Sequence, residues 1–406
     1  MRLLYFTREW TGHDRRFVAA FCSHGIELGV LTLFRLPAVL AARECPGTAR
    51  FLGSLGLDMP ADRHRLADLV SGYRSLEEAF APDLVLAGPL TDCAFVKALT
   101  ASTVPWVAQS WAFDVFWEWP QGADIASRVE FTLRQCPPLF ADSQAVVAQC
   151  ELIAGRSLPH RYLMPWGIDL AEIQQPRDRK ALRQELGVMG CEVFLHTRGL
   201  EPVYGVETLL GAFRLVHEDD PTTLLLLAST GSLRSEVESF VARHALPKAI
   251  RLLGRVPHSR VLDLFAASDC YVSCAASDGT SVSLLEAMAL GVPPIVPDTG
   301  GNTEWIRNED HGWVVPVGDA ARLRTAMVAA ANLEPGIRDR MAARNREAVR
   351  ARANWASNFP GFLGFLRGCT QDGGTASVIG SQLTGCVAIG NGGSKPVGLR
   401  PQPPNN

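Results

Sequence analysis

Nowhere does the chain hold an uninterrupted apolar run of about 18 residues, so no segment reads as a transmembrane helix. The opening Met1-Arg2-Leu3-Leu4-Tyr5-Phe6 is too short for a signal-peptide core and reads as a first strand. A basic surplus is also missing. With 39 Lys and Arg against 42 Asp and Glu the net charge is −3, which argues against nucleic acid as the main partner. The ten cysteines are scattered. Cys270 and Cys274, the closest pair, do not have zinc-knuckle spacing and lack a matching second pair, so reduced, buried thiols in a cytoplasm are expected. There is no GxxxxGK[ST] phosphate loop, and no GxGxxG after the first strand to support a dehydrogenase. No Asp-x-Asp occurs; Glu218-Asp219-Asp220 precedes Pro221 and reads as the end of a helix, so no metal site is expected. His196, His244 and His258 are isolated and read as structural.

What is present is a regular alternation of strand-like and helix-like segments. Length and apolar content suffice for two cores. In the first half, strands are expected at Leu3–Thr7, within Gly25–Leu33 after a turn, and at Asp83–Gly88, Val104–Gln109, Leu139–Asp142 and Arg161–Pro165, with an amphipathic helix over Arg15–His24. Residues 170–180 are polar and charged and read as a linker. The alternation resumes with strands at Val193–Thr197, Thr223–Ala228, Ile250–Leu253 and Cys270–Ser273, and helices at Val206–His217, Arg234–His244 and Ser259–Ala267. Such β–helix–β order predicts an α/β fold of two Rossmann-like, doubly wound halves. Ligands then bind at the carboxyl ends of the strands.

Ser277 to Trp305 carries the most specific signal. Asp278, Gly279, Thr280 and Ser281 suit a tight turn and a helix N-cap. Leu284, Leu285, Met288 and Leu290 follow at helical spacing, and Gly291 and Pro293 stop the helix. Pro294–Pro297 reads as a buried strand, followed by the Gly300-Gly301-Asn302 loop. A helix N-terminus carries exposed N–H groups and binds phosphate. Gly279 lets a ligand approach the backbone. Asp278 and Glu286, with seven residues between them, sit badly with a bare phosphate. They make sense as acceptors for hydroxyls on either side of a diphosphate, which describes a nucleotide-sugar.

The same residues resemble the donor site of family-four glycosyltransferases, which are retaining enzymes of the GT-B fold: a carboxylate, seven residues, Glu in LLEAMALGVPPIV, then GGNTEWI. Asp278 departs from the usual Glu by one carbon. The resemblance implies a first half (1–170) that binds the acceptor and a second half (180–350) that binds the donor. A final helix (351–368) crosses back to the first half, and 370–406 is expected as a disordered tail. Glu286 then accepts from ribose and Asp278 contacts the donor sugar, while the backbone at Gly279, Thr280, Ser281 and Val282 holds the phosphates.

In Thr197–Gly205 the family carries an Arg and a Lys that clamp the diphosphate. Here Gly199 and Tyr204 stand in their places, Arg198 lies one residue early, and Tyr204 offers one neutral hydrogen bond. On the acceptor side, His13 and Asp14 follow the first strand. Trp111 and Asp114 stand where the family loop reads His-Gly-x-Asp. The expected function is metal- and cofactor-independent transfer of a sugar from a nucleotide diphosphate to a saccharide, lipid-linked or small-molecule acceptor. A lipid-linked acceptor would bring a cytoplasmic protein to the inner face of the membrane. The departures at Gly199 and Tyr204 raise a second reading, a catalytically weak relative serving as a binding or scaffold subunit. A nucleotide-sugar epimerase is a third, though the sequence offers no base for it.

Overall fold

The computed structural model describes residues 1–36, 49–57, 66–307 and 310–371. Two all-parallel sheets carry the chain. The first comprises β1 (Arg2–Thr7), β2 (Glu27–Phe34), β3 (Ala49–Leu57), β4 (Leu84–Gly88), β5 (Trp106–Gln109), β6 (Leu139–Ala141) and β7 (Arg161–Leu163), in the order β3-β2-β1-β4-β5-β6-β7. The second comprises β8 (Glu192–His196), β9 (Thr223–Leu227), β10 (Ile250–Leu252), β11 (Cys270–Val272), β12 (Pro294–Pro297) and β13 (Trp313–Val315), in the order β10-β9-β8-β11-β12-β13. Both are doubly wound, with the strand order reversing beside β1 and β8. That reversal opens a crevice at the carboxyl end of the sheet, where ligands bind in this fold class. The loops after β1, β8 and β11 lie there.

Strands of such sheets are covered by helices on both faces and so read as continuous apolar runs. Leu3, Leu4 and Phe6 of β1 are fully buried, as are Leu225 and Leu227 of β9. Two strands escaped the sequence reading. β3 (ARFLGSLGL) is broken by glycines and pairs with β2 through register shifts. β13 is only three residues long. Residues 170–180 contain the short helix Leu170–Ile173 and the start of Arg179–Glu185, with Ile173 buried.

The helix Pro335–Arg352 packs along the second sheet's helix Val282–Leu290. The chain then turns at Ala353 and runs as helix Trp355–Gln371 against β4 and β5. Phe359, Phe362, Leu363 and Leu366 are buried in a cluster with Tyr5, Phe17, Phe21 and Phe140. Phe362 stacks on Phe140 at 4.2 Å. Burying one such ring contributes roughly 1.5–3 kcal/mol. A bridge from Ile168 to Ala353 and Trp355 ties the turn down, at 2.9 and 3.0 Å. The expected tail lies outside the described residues, except that Thr370 and Gln371 continue the last helix. Among the described residues eight cysteines stand outside any disulfide, and five of them are buried.

Candidate active site

The stretch after β11 folds as its residue types dictate. Ser281 caps the helix Val282–Leu290, its hydroxyl accepting from the Leu284 amide at 3.4 Å, and Gly291 ends it in a left-handed turn. Leu284, Leu285, Ala287 and Met288 are buried all round the helix, fixing it between β12 and its neighbours. Thr280, Ser281 and Val282 therefore sit at a rigid helix N-terminus.

Arg198, in the loop after β8, reaches this N-terminus. Its Nη1 stands 3.3 Å from Ser281 Oγ and its Nη2 3.4 Å from Asp278 Oδ2. The guanidinium lies over the Tyr204 ring, 4.6 Å from the centroid. Burial penalises its charge, but Asp278 and the two tyrosines Tyr204 and Tyr271 outweigh that and hold it above the usual range. Asp278 is itself pushed up by burial, with Arg198 acting the other way. Tyr204 thus serves as a platform for Arg198. Gly199 does not have positive φ, and a Cβ there would stand 3.1 Å from the Tyr204 ring.

Glu286 is buried on the same helix, and its Oε1 lies 2.6 Å from His258 Nε2. The other nitrogen of His258 is 3.3 Å from Glu172. The hydrogen bond to Glu286, the largest influence on it, raises the imidazole's pKa. Reading His258 as an isolated structural histidine is thereby corrected. The sequence signal was slight, because Glu286 and His258 lie 28 residues apart. His196 is structural: fully buried, bonded to the Val272 carbonyl at 2.9 Å and lowered to about 4 by burial.

The first half supplies groups the sequence reading missed. Asp142, just after β6, places Oδ2 2.8 Å from the Thr280 amide, and its own carbonyl accepts from Thr280 Oγ1 at 2.8 Å. A Cβ at position 279 would collide with this carboxylate, so Gly279 is needed for the close approach of Asp142. Thr280's amide, expected to be free for a phosphate, is therefore already engaged. Glu304 makes the converse contact from the second half. It accepts from the Gln144 and Ala145 amides, at 3.2 and 2.9 Å, at the start of helix Gln144–Ala154. Each half thus caps a helix-start amide of the other with a carboxylate.

The acceptor-side expectations divide. Asp14 is buried; Oδ1 accepts from Tyr5 and Thr7 hydroxyls at 2.8 Å, and Oδ2 accepts from the Thr11 amide and hydroxyl. Asp114 is fully buried and accepts from Ser110 Oγ, the Trp111 amide and the Leu90 amide. Burial raises it to about 6. Both were read as acceptor contacts, and both instead spend their oxygens holding their own loops. His13 and Trp111 belong together through Trp166, which stands edge-on to each at 4.6 and 6.4 Å. Burial lowers His13 to about 3, with the cations Arg16, Arg198 and His258 acting the same way. It is neutral near pH 7 and so cannot balance phosphate charge. Arg16 is bound to the Trp166 and Gly167 carbonyls at 2.6 and 2.7 Å. Among the described residues no cluster of three or more His, Cys, Asp or Glu side chains could hold a metal ion.

Two facing Rossmann-like halves with a helix N-terminus, a cation and two spaced carboxylates at the second crevice define the GT-B class. Residues 178–348 match the family described as "Glycosyl transferases group 1", and the two sheets have the GT-B arrangement. It is 25% identical over 320 residues to a GDP-mannose-dependent monoacylated alpha-(1-6)-phosphatidylinositol monomannoside mannosyltransferase of Corynebacterium glutamicum, covering 75% of this chain and 80% of that protein. It is 26% identical over 221 residues to the amylovoran biosynthesis glycosyltransferase AmsK of Erwinia amylovora, covering 51% of this chain. The chain spans only about half, 53%, of that relative. The fold is shared with Anabaena HepE, crystallised with UDP-glucose, at a TM-score of 0.75 and 18% identity over 90% of this chain and 99% of that one.

Proposed function

We propose that the chain transfers a sugar from a nucleotide diphosphate donor, with retention of configuration, to a saccharide or lipid-linked acceptor. One observation carries the reading. A rigid helix N-terminus holds Arg198 and Asp278 at its start and a His258-bonded Glu286 about one turn on. The amides of Ser281 and Val282 bind the diphosphate. Arg198 neutralises the charge that grows on the leaving diphosphate as the glycosidic bond breaks. Glu286, oriented by His258, accepts from the ribose hydroxyls. Asp278 accepts from the donor sugar. His13, Trp111 and Trp166 form an aromatic wall for the acceptor. The relatives' names, a phosphatidylinositol mannoside transferase and an enzyme of amylovoran biosynthesis, support a saccharide or lipid-linked acceptor. Among the described residues no helix is long and apolar enough to cross a membrane, so a lipid-linked acceptor would be met at the membrane surface.

The test is a thermal-shift screen of UDP-, GDP- and ADP-sugars, followed by donor turnover with a panel of acceptors. A donor at 100 times its dissociation constant stabilises by about 2.7 kcal/mol. No stabilisation by any of them would remove the reading. Gly199 and Tyr204, where the family carries cations, favour one alternative: a binding subunit that takes up donor but does not turn it over.

A further inference from the structure

Two carboxylates from opposite halves converge on the start of the helix Val282–Leu290. Asp278 arrives from the second half, on the loop after β11. Asp142 arrives from the first, and its charge and that of Asp278 act on each other. Asp142 is rigidly held. It follows β6 directly; Ser143 caps the next helix, its Oγ accepting from the Val146 amide at 3.3 Å, and Glu304 grips that helix's first amides from across the crevice. One oxygen of Asp142 is fully used by the Thr280 amide. The other, Oδ1, is buried and has no hydrogen-bond partner among the described residues, and the same holds for Asp278 Oδ2, which has only the long ion pair to Arg198. Two buried acceptors without hydrogen-bond partners, both at the start of the helix proposed to hold the diphosphate, ask for hydroxyl donors and repel a further negative charge.

We infer that Asp142 and Asp278 form a two-carboxylate socket, built from both halves, that selects a neutral, hydroxylated donor sugar and rejects a hexuronate. The socket rests on the nucleotide-sugar reading and deepens it. The socket is complete only because the two halves meet there. A carboxylate on the sugar would be placed against two others, and specificity arises from that repulsion as much as from the hydroxyl contacts. Asp142→Asn keeps an oxygen for the Thr280 amide and removes the charge. Asp142→Ser removes the carboxylate and shortens the side chain, and serves if the asparagine variant fails to fold.

The experiment measures dissociation constants at pH 8 for wild type and both variants. ADP, GDP and UDP are tried first, and the tightest binder is then compared as its hexose and its hexuronate derivative. The expected result is a wild-type preference of at least about tenfold for the hexose. That preference, read as the ratio of the two dissociation constants so that any change common to the diphosphate cancels, should narrow about fivefold or more in Asp142→Asn. A purely structural role for Asp142 would move all three ligands together, and that outcome overturns the socket. So does equal binding of hexose and hexuronate by the wild type. If none of the three diphosphates binds, the nucleotide-sugar reading itself fails and the socket fails with it.

Discussion

His258 Nε2 and Glu286 Oε1 meet at 2.6 Å, joining the start of one helix to the middle of another. The contact fixes the direction of a buried carboxylate. If that carboxylate accepts from ribose as proposed, the charge-assisted hydrogen bond contributes about 1.5–3 kcal/mol. Glu286→Gln should weaken donor binding by roughly ten- to a hundredfold with the melting temperature little changed. His258→Ala should cost less, roughly two- to tenfold, because the carboxylate survives without its brace. Calorimetric titration of donor into both variants checks this. Unchanged affinity in Glu286→Gln would sink the ribose assignment.

Arg198 is the cation that meets the Ser281 cap and Asp278. If it carries the leaving diphosphate, its loss acts mainly on the transition state. Arg198→Ala should lower kcat by on the order of 10²–10³ at saturating donor. Gly199→Arg is allowed by the backbone, and its side chain must displace the Tyr204 ring, which lies 3.1 Å from the new Cβ. A wild-type kcat in Arg198→Ala together with a gain in Gly199→Arg would mean that the chain lacks its clamp, which favours the binding-subunit reading.

Burial pushes Asp142 up to about 7; the Thr280 amide pulls it down, and Asp278 and Glu304 add to the rise. Its unfolded value is about 3.9. The native state therefore holds this proton more tightly than the unfolded one. The resulting stabilisation is complete below the unfolded value and is lost as pH rises through about 7. Asp114 and Glu192 are also raised, so the wild type is best compared with Asp142→Asn. The melting temperature of the wild type should fall relative to that variant between pH 5 and pH 8, a window that brackets about pH 7. Parallel curves would show that Asp142 is not proton-linked to folding.

The expectation of metal independence came from the missing Asp-x-Asp. Turnover measured with excess EDTA should match turnover without it. Loss of activity on chelation, restored by magnesium or manganese, would mean that the diphosphate site has been misread.

The sequence by itself determined the α/β alternation, the second-half helix N-terminus and the residues that flank it. These are local matters. Apolar spacing selects strand or helix, Ser281 is a cap, Gly291 is a stop, and Asp278 lies in the loop just before the helix that carries Glu286. Tertiary structure decided what comes from afar. His258 reaches Glu286 from 28 residues away and Asp142 reaches Thr280 from 138. Glu304 reaches Gln144 from 160. No periodicity encodes such pairs, because strand order and the meeting of the two halves set them. The same cause undid the readings of Asp14 and Asp114. A carboxylate beside a strand end looks alike in sequence whether it faces a ligand or turns inward. Only the packed loop shows that Tyr5, Thr7, Ser110 and the Leu90 amide have already claimed those oxygens.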